Sequence, residues 1–332
     1  MPLPDPRGPL TESLFSHLKG APSNVPLEAP TSEDPLVGDD FHLALYCCYE
    51  LHYRGFEGVD ERWEWNPALL TFRSTLEAAF ESALIERVRI DVQSSAPVAK
   101  RLQELAESDE GPSLSKYLET RGTLGQFKEF FIHRSAYQLK ESDPHSWAIP
   151  RLSGKPKAAL VEIQADEYGS GDPDRIHATL FANSMKAVGL EDRYGAYLGV
   201  LPGVTLATVN LMSMFGLHRR WRGAIIGHLA LFEMTSTEPN RRYGNALRRL
   251  GFGRDATFFF DEHVEADSVH EQVAAHDLAG GLAAQDPRLV ADIIFGARSL
   301  LHVEGLWADH LLDSWSADRS SLLEGARIPS HS

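Results

Sequence analysis

Apolar residues in this chain recur at three- and four-residue spacing in segment after segment, and no two-residue alternation survives the helical alternative. The runs DDFHLALYCCYELHYRGF, NPALLTFRSTLEAAFESALIERV, TLGQFKEFFIHRSAYQLKES and KAALVEIQADEYG all read as helices. Asn66-Pro67 supplies a cap and a first-turn proline, the pair that starts a helix cleanly. LPGVTLATVNLMSMFGLHRR and WRGAIIGHLALFEMTSTEP are apolar enough to be central. Gly223, Gly227 and Ala230 line one side of the second, so another helix can approach it closely. GxGxxG, P-loop and GxSxG patterns are absent from the sequence. These features predict an all-α helical bundle.

With 332 residues and 43% hydrophobic content, the chain can bury a sizeable core. Residues 1–40, rich in Pro, Ser, Gly and acids, read as a largely irregular arm with a short helix around TESLFSHLKG. Residues 41–120 read as an N-terminal helical extension packed on the bundle, 121–320 as the bundle itself and 321–332 as a disordered tail. A formal net charge of −15 argues against a nucleic acid or an anionic membrane surface as partner. No apolar run approaches the ~18 residues of a membrane span. The start, MPLPDPRGPLTESLF, lacks a charged region followed by an apolar one, so no signal peptide is expected. Cys47 and Cys48 are adjacent, which offers neither a disulfide framework nor a cysteine zinc site and suits a reducing cytoplasm.

The chemistry concentrates in FFFDEHVEADSVHEQ, where three aromatic residues lead into a run of acids and histidines. On a helix, His263, Asp267 and His270 fall at i, i+4 and i+7, within about 60° of arc. Val264 and Val269 border that stripe, while Glu262, Glu265, Ser268 and Glu271 spread over the rest of the cylinder. Two imidazoles and a carboxylate projecting one way form a three-donor face for iron, zinc or manganese. The same residues also suit a solvated helix face, so the decision rests on donors elsewhere. Glu167 ends one apolar helical run, and His177 lies in the first turns of the next. Gly169, Gly171 and Pro173 interrupt the helix between them, and Asp172-Pro173 offers a new start, so the two can converge. An ordinary glycine-rich turn with both side chains solvated is the alternative. Glu141 ends an amphipathic helix whose apolar face carries Phe127, Phe131 and Tyr137, and it is either a further donor or a plain surface acid.

Together, Glu141, Glu167, His177, His263, Asp267 and His270 resemble the ligand set of the haem-oxygenase-like diiron oxidases and oxygenases, known as iron-containing redox enzymes. The texts LKESDPHSWAIPRLSGKPKAALVEIQADEYGSGDPDRIHATLFANSMKAVGL and ALYCCYELHYRGFEGVDERWEWNPALL look like that family, and the resemblance spans roughly residues 40–315. It implies a haem-oxygenase-like fold, two iron ions that are Fe(II) before O2 activation, no haem, and those six residues as ligands. Three carboxylates would nearly balance the charge of two ferrous ions. It further implies O2 and a small-molecule substrate as partners, with electrons from an external donor or from the substrate; a homodimer is compatible with it. The reaction expected first is N-oxygenation of an amine in a biosynthetic pathway. Desaturation or oxidative C–C cleavage of an amino acid or fatty acid is the alternative. A haem protein would need one proximal histidine and no Asp267 between two histidines; a metal-free helical interaction protein would leave these acids and histidines on its surface.

Other polar residues draw weaker expectations. Glu233, an acid inside an apolar helix, reads as a core acid bonded to a neighbouring Arg or Tyr, with an acid that orients a ligand, or a spare ligand, as the alternative. His302, Glu304 and His310 do not share a helical face and read as structural. The basic HRRWR segment reads as a solvated helix end, with a hold for a substrate carboxylate as the alternative, and Glu50-Leu51-His52 as a packing and surface detail.

Overall fold

The structure is a computed structural model that describes residues 1–29, 33–88, 96–108, 111 and 113–324, with the backbone alone for residues 266–269. The described residues are helical throughout, apart from connecting turns and one isolated bridge between Tyr168 and Ile176. The N-terminal helices are α1 (Pro9–Leu18), α2 (Asp39–Glu50), α3 (Pro67–Arg87), α4 (Val98–Glu107) and α5 (Leu114–Thr120). They are followed by α6 (Leu124–Gln138), the one-turn α7 (Asp143–Ser146), α8 (Gly154–Glu167), α9 (His177–Ala187) and α10 (Gly203–Leu217). The chain closes with α11 (Arg222–Arg249), α12 (Arg254–Gln272), α13 (Gly280–Gln285) and α14 (Val290–Ser316). Among the described residues no helix is long and apolar enough to cross a membrane.

Capping follows the sequence signals. Asn66 Oδ1 accepts from the backbone N–H groups of Ala68 and Leu69, satisfying two donors that the first turn of α3 cannot pair internally. Thr123 and Gln126 form a reciprocal capping box at the start of α6. The N-terminal arm contains a helix, α1, as the sequence suggested, and it is tied down. Asp40 accepts from the N–H groups of Leu10 and Thr11, which anchors α1 to α2.

The core runs through α10 and α11. Every residue of α10 from Gly203 to Gly216 is buried, and Gly223–Leu231 of α11 is a continuous buried run. Small residues allow α11 to lie against α14 backbone to backbone. A Cβ on Gly227 would sit 2.6 Å from the carbonyl carbon of Ile293, and one on Gly296 would sit 2.6 Å from that of Ala224. No side chain fits at either position without moving a helix. The close approach expected from Gly223 and Gly227 is therefore present, with Gly296 as the matching residue on the partner helix.

At the C-terminal end, Ser321 and Leu322 are buried, within the stretch expected to be a disordered tail. Ser321 donates to Glu129 and Leu323 N–H to the Val200 carbonyl. Residues 325–332 of that tail lie outside the described residues.

Candidate metal centre

Four elements bring donors to one buried place. Glu141 lies three residues past the end of α6, in the turn to α7, where Ser142 takes φ 68°. Glu167 is the last residue of α8 and His177 the first of α9. His263 and His270 project from α12. Each of these five residues is at most 6% exposed.

The interruption between α8 and α9 works as the sequence suggested. Gly169, Ser170 and Gly171 take φ values of 67°, 51° and 90° in succession. That left-handed path reverses the chain, and the Tyr168–Ile176 bridge closes the excursion. Gly169 is required there: a Cβ would meet the Arg175 carbonyl carbon at 2.7 Å and the Ile176 nitrogen at 2.8 Å. The result places His177 Nδ1 3.0 Å from Glu167 Oε2.

The segment QADEYGS tightens this corner with almost every side chain. Gln164 Nε2 donates to the Ser142 carbonyl at 2.9 Å and to Ser146 Oγ at 2.7 Å, which fixes the turn that carries Glu141. Tyr168 OH donates to Asp143 at 2.9 Å. Ser142 Oγ in turn donates to Glu167 Oε2 at 3.0 Å.

Two donor groups result. Glu141, Glu167, His177 and His263 offer one atom each, all within 4.8 Å of one another; so do Glu167, Glu233 and His270. Glu167 belongs to both. Glu233, read from sequence as a core acid, with an orienting acid or a spare ligand as the alternative, is thus within metal-binding reach, with its carboxylate 3.6 Å from His270 Nδ1. The side chain of Asp267, the remaining expected ligand, lies outside the described residues.

Hydrogen bonds fix which ring nitrogen carries the proton. His263 Nδ1 is 2.8 Å from the Phe259 carbonyl, which can only accept, so Nδ1 carries the proton. Its Nε2 then faces Glu141 Oε1 at 3.5 Å. His270 Nε2 is 3.0 Å from Asp166 Oδ2, which leaves Nδ1 toward Glu233. Among the described residues, three buried atoms at the centre have no aligned hydrogen-bond partner: Glu141 Oε2, His177 Nδ1 and His270 Nδ1. Orphaned buried donors and acceptors are costly, and three converging on one place fit a cation.

The electrostatics agree. Burial pushes the Glu141 carboxyl up, against the pull of His263. Burial would raise Glu167 too, but His177, His263 and His270 outweigh it and hold it well below the usual carboxylate range. Burial opposes the charged form of His177, yet facing Glu167 raises it. His270 is likewise disfavoured by burial, but Glu233 and Asp166 lift it to about 9. Without a cation, the acids of this centre therefore favour protons on His177 and His270. A metal must displace those protons to bind.

A cavity of about 340 Å³ opens against Glu141, Glu167, Glu233 and His263. Phe130, Phe232, Tyr243, Phe259, Phe260 and Trp307 form its aromatic walls. Glu304 also lines it, paired with Arg134 by two hydrogen bonds of 2.9 and 2.7 Å. Pro239 lines it from within α11 and denies the Thr235 carbonyl its usual helical donor.

Other residues behave differently from the sequence reading or were missed. Glu50 is no surface detail: it is fully buried and pairs with the buried Lys140 at 3.0 Å, directly beside Glu141. The bases of HRRWR are largely paired, His218 with Glu77, Arg220 with Glu81 and Arg222 with Asp286. Asp166 and Ser142 escaped notice. The only signal for Asp166 was its place beside Glu167, and nothing in the sequence pointed at Ser142.

The family model for iron-containing redox enzymes matches residues 128–305, just over half of the chain and all of the donors described above. A nitrosourea synthase from Streptomyces achromogenes subsp. streptozoticus is 25% identical over 159 residues, covering 48% of this chain and 34% of that protein. The chain thus spans about a third of the length of the curated relative it matches. The fold is an all-helical, haem-oxygenase-like bundle, and the chain belongs to the iron-containing redox enzyme family.

Proposed function

We propose that this oxidoreductase is a cytoplasmic, nonhaem diiron oxygenase that N-oxygenates an amine of a small metabolite. The observation that carries the reading is Glu167, the shared member of two adjacent donor groups. A carboxylate common to two such groups would be shared by two ions. Glu141, His177 and His263 would hold one iron; Glu233, His270 and, from its place on the helix stripe, Asp267 would hold the other. Carboxylate oxygen and imidazole nitrogen suit iron. Two ferrous ions bound there would supply the electrons and open coordination positions that O2 activation requires.

The chain's own residues prepare the rest. The aromatic walls exclude water beside the donors and leave room for a small molecule. Four carboxylates (Glu141, Glu167, Glu233 and Glu304) and two guanidiniums (Arg134 and Arg242) line the cavity, and acids together with aromatic faces favour a cationic amine. The similarity to a nitrosourea synthase supports nitrogen as the atom oxidised. The two cysteines are buried and unpaired, in keeping with a reducing compartment. An external donor or the substrate would return the enzyme to its ferrous state.

Anaerobic loading with Fe(II) followed by iron analysis tests the core of this reading, with about two Fe per chain expected. Exposure to O2 with a panel of amines, amino acids and fatty acids should then give faster O2 uptake and a product one oxygen heavier for an amine. A single tightly held iron, haem uptake, or products only of desaturation or C–C cleavage would overturn it.

A further inference from the structure

Asp166 stands beside the donor groups without belonging to either. Its Oδ2 is 3.0 Å from His270 Nε2, and its Oδ1 accepts from Ser170 Oγ at 3.0 Å. The carboxylate is half exposed, whereas the imidazole it touches is buried. We propose that Asp166 is a positioning residue that selects Nδ1 of His270 as the metal-binding nitrogen.

A carboxylate can only accept, so it draws the ring proton to Nε2 and leaves the lone pair on Nδ1. Nδ1 is the nitrogen that faces Glu233 at 3.6 Å and, among the described residues, has no aligned hydrogen-bond partner. The contact also fixes the ring's rotation and raises the electron density at the ligating nitrogen. Only one of the two metal positions should depend on it. His263 has its own device, the Phe259 carbonyl at 2.8 Å, and needs no carboxylate. Ser170 adds a second effect. It lies in the left-handed excursion between Glu167 and His177, so its bond to Asp166 ties that excursion, through Asp166, to α12. The histidine of one donor group and the loop that shapes the other are thereby joined through a single carboxylate.

This inference rests on the two-ion reading above, and the test separates them. Wild-type protein and Asp166→Ala are titrated with Co(II) under anaerobic conditions, and the visible absorption of bound Co(II) is followed. The wild type should take up two ions. Asp166→Ala should bind one of them about 10–100-fold more weakly and the other unchanged. Asp166→Asn, which keeps an acceptor but not the charge, should fall between. Nitrogen-15 spectra of the Zn(II)-loaded wild type should show His270 with its proton on Nε2 and the metal on Nδ1. Unfolding of the metal-free proteins should coincide, which separates positioning from a general structural role. A wild type that binds no pair of ions overturns the two-ion reading and this inference with it. Two ions bound equally well by wild type and Asp166→Ala, or a His270 proton found on Nδ1, overturns the inference alone.

Discussion

Replacing Glu50 by Gln removes the charge that Lys140 faces across 3.0 Å. The two side chains are 0% and 1% exposed, so water cannot take over. Tyr194 OH donates to the same Glu50 oxygen at 2.6 Å, and the ammonium lies 4.2 Å from the Tyr53 ring centroid and 4.9 Å from that of Tyr46. Breaking a buried pair from one side leaves an uncompensated charge and costs about 3–5 kcal/mol. The rings give back about 1–2 kcal/mol through cation–π attraction. A net loss of about 2–4 kcal/mol is expected, a large fraction of the ~5–15 kcal/mol that stabilises a typical domain. Urea unfolding should show a lower midpoint at unchanged slope. Replacing both partners, Glu50→Leu with Lys140→Met, should be more stable than Glu50→Gln alone, because no buried charge remains. Lys140 is joined directly to Glu141, so Glu50→Gln should also lower the iron content of the folded protein. The reasoning is refuted if Glu50→Gln unfolds within 1 kcal/mol of wild type, or if the double variant is no more stable than the single one.

Three further outcomes are expected. His263→Ala should lose iron while keeping its helical circular dichroism; full iron content in that variant would remove His263 from the centre. Gly227→Ala forces a methyl group into the Ile293 carbonyl and should cost at least about 1–3 kcal/mol in thermal or urea unfolding, so a neutral result would contradict the backbone-to-backbone crossing. Burial pushes His42 and His145 down to about 4, and His133 and His228 well down, so these four are neutral in the fold and take up protons on unfolding. With the folded value below the unfolded one, their contribution is present above pH ~6.5 and lost as pH falls toward 4, by about 1.4 kcal/mol per pH unit for each histidine. His42→Gln should therefore flatten the pH dependence of unfolding by about one proton between pH 4.5 and 6, and an unchanged slope would show that His42 is not held neutral.

The helices and their glycine crossing were legible because helical periodicity and small-residue stripes are local patterns. The His263–His270 stripe was visible for the same reason: both residues lie on one helix, and spacing alone fixes their shared direction. Glu167 and His177 needed one more step, the breakers between them. Glu141 was harder. It lies not on a helix but in a turn, aimed by Ser142 at φ 68° and by Gln164, and no periodicity describes a turn. Glu233 could be read as an acid in an apolar helix, but its nearness to His270 depends on how α11 packs on α12. Asp166 and the Glu50–Lys140 pair were invisible, since a contact across more than 80 residues leaves no trace in a single sequence.

The placement of the donors also bears on how the centre responds to metal. Glu233, His263 and His270 project from long helices whose geometry is set by packing with α14 and with one another. Glu141 and Glu167–His177 sit where helices stop, on a turn and a left-handed excursion that have few apolar anchors of their own. Those segments are held by side-chain hydrogen bonds, Gln164 to Ser142, Tyr168 to Asp143 and Ser170 to Asp166. Such bonds contribute about 1 kcal/mol each, well below what a buried helix contact supplies. A ligand that requires the ordered form adds its own binding energy to it. Iron should therefore protect residues 167–177 from amide hydrogen exchange more than it protects α10, which is buried from Gly203 to Gly216. Strong and equal protection of 167–177 with and without Fe(II) would show instead that the side-chain bonds alone preform the centre, and that the metal adds nothing to the order of its loop.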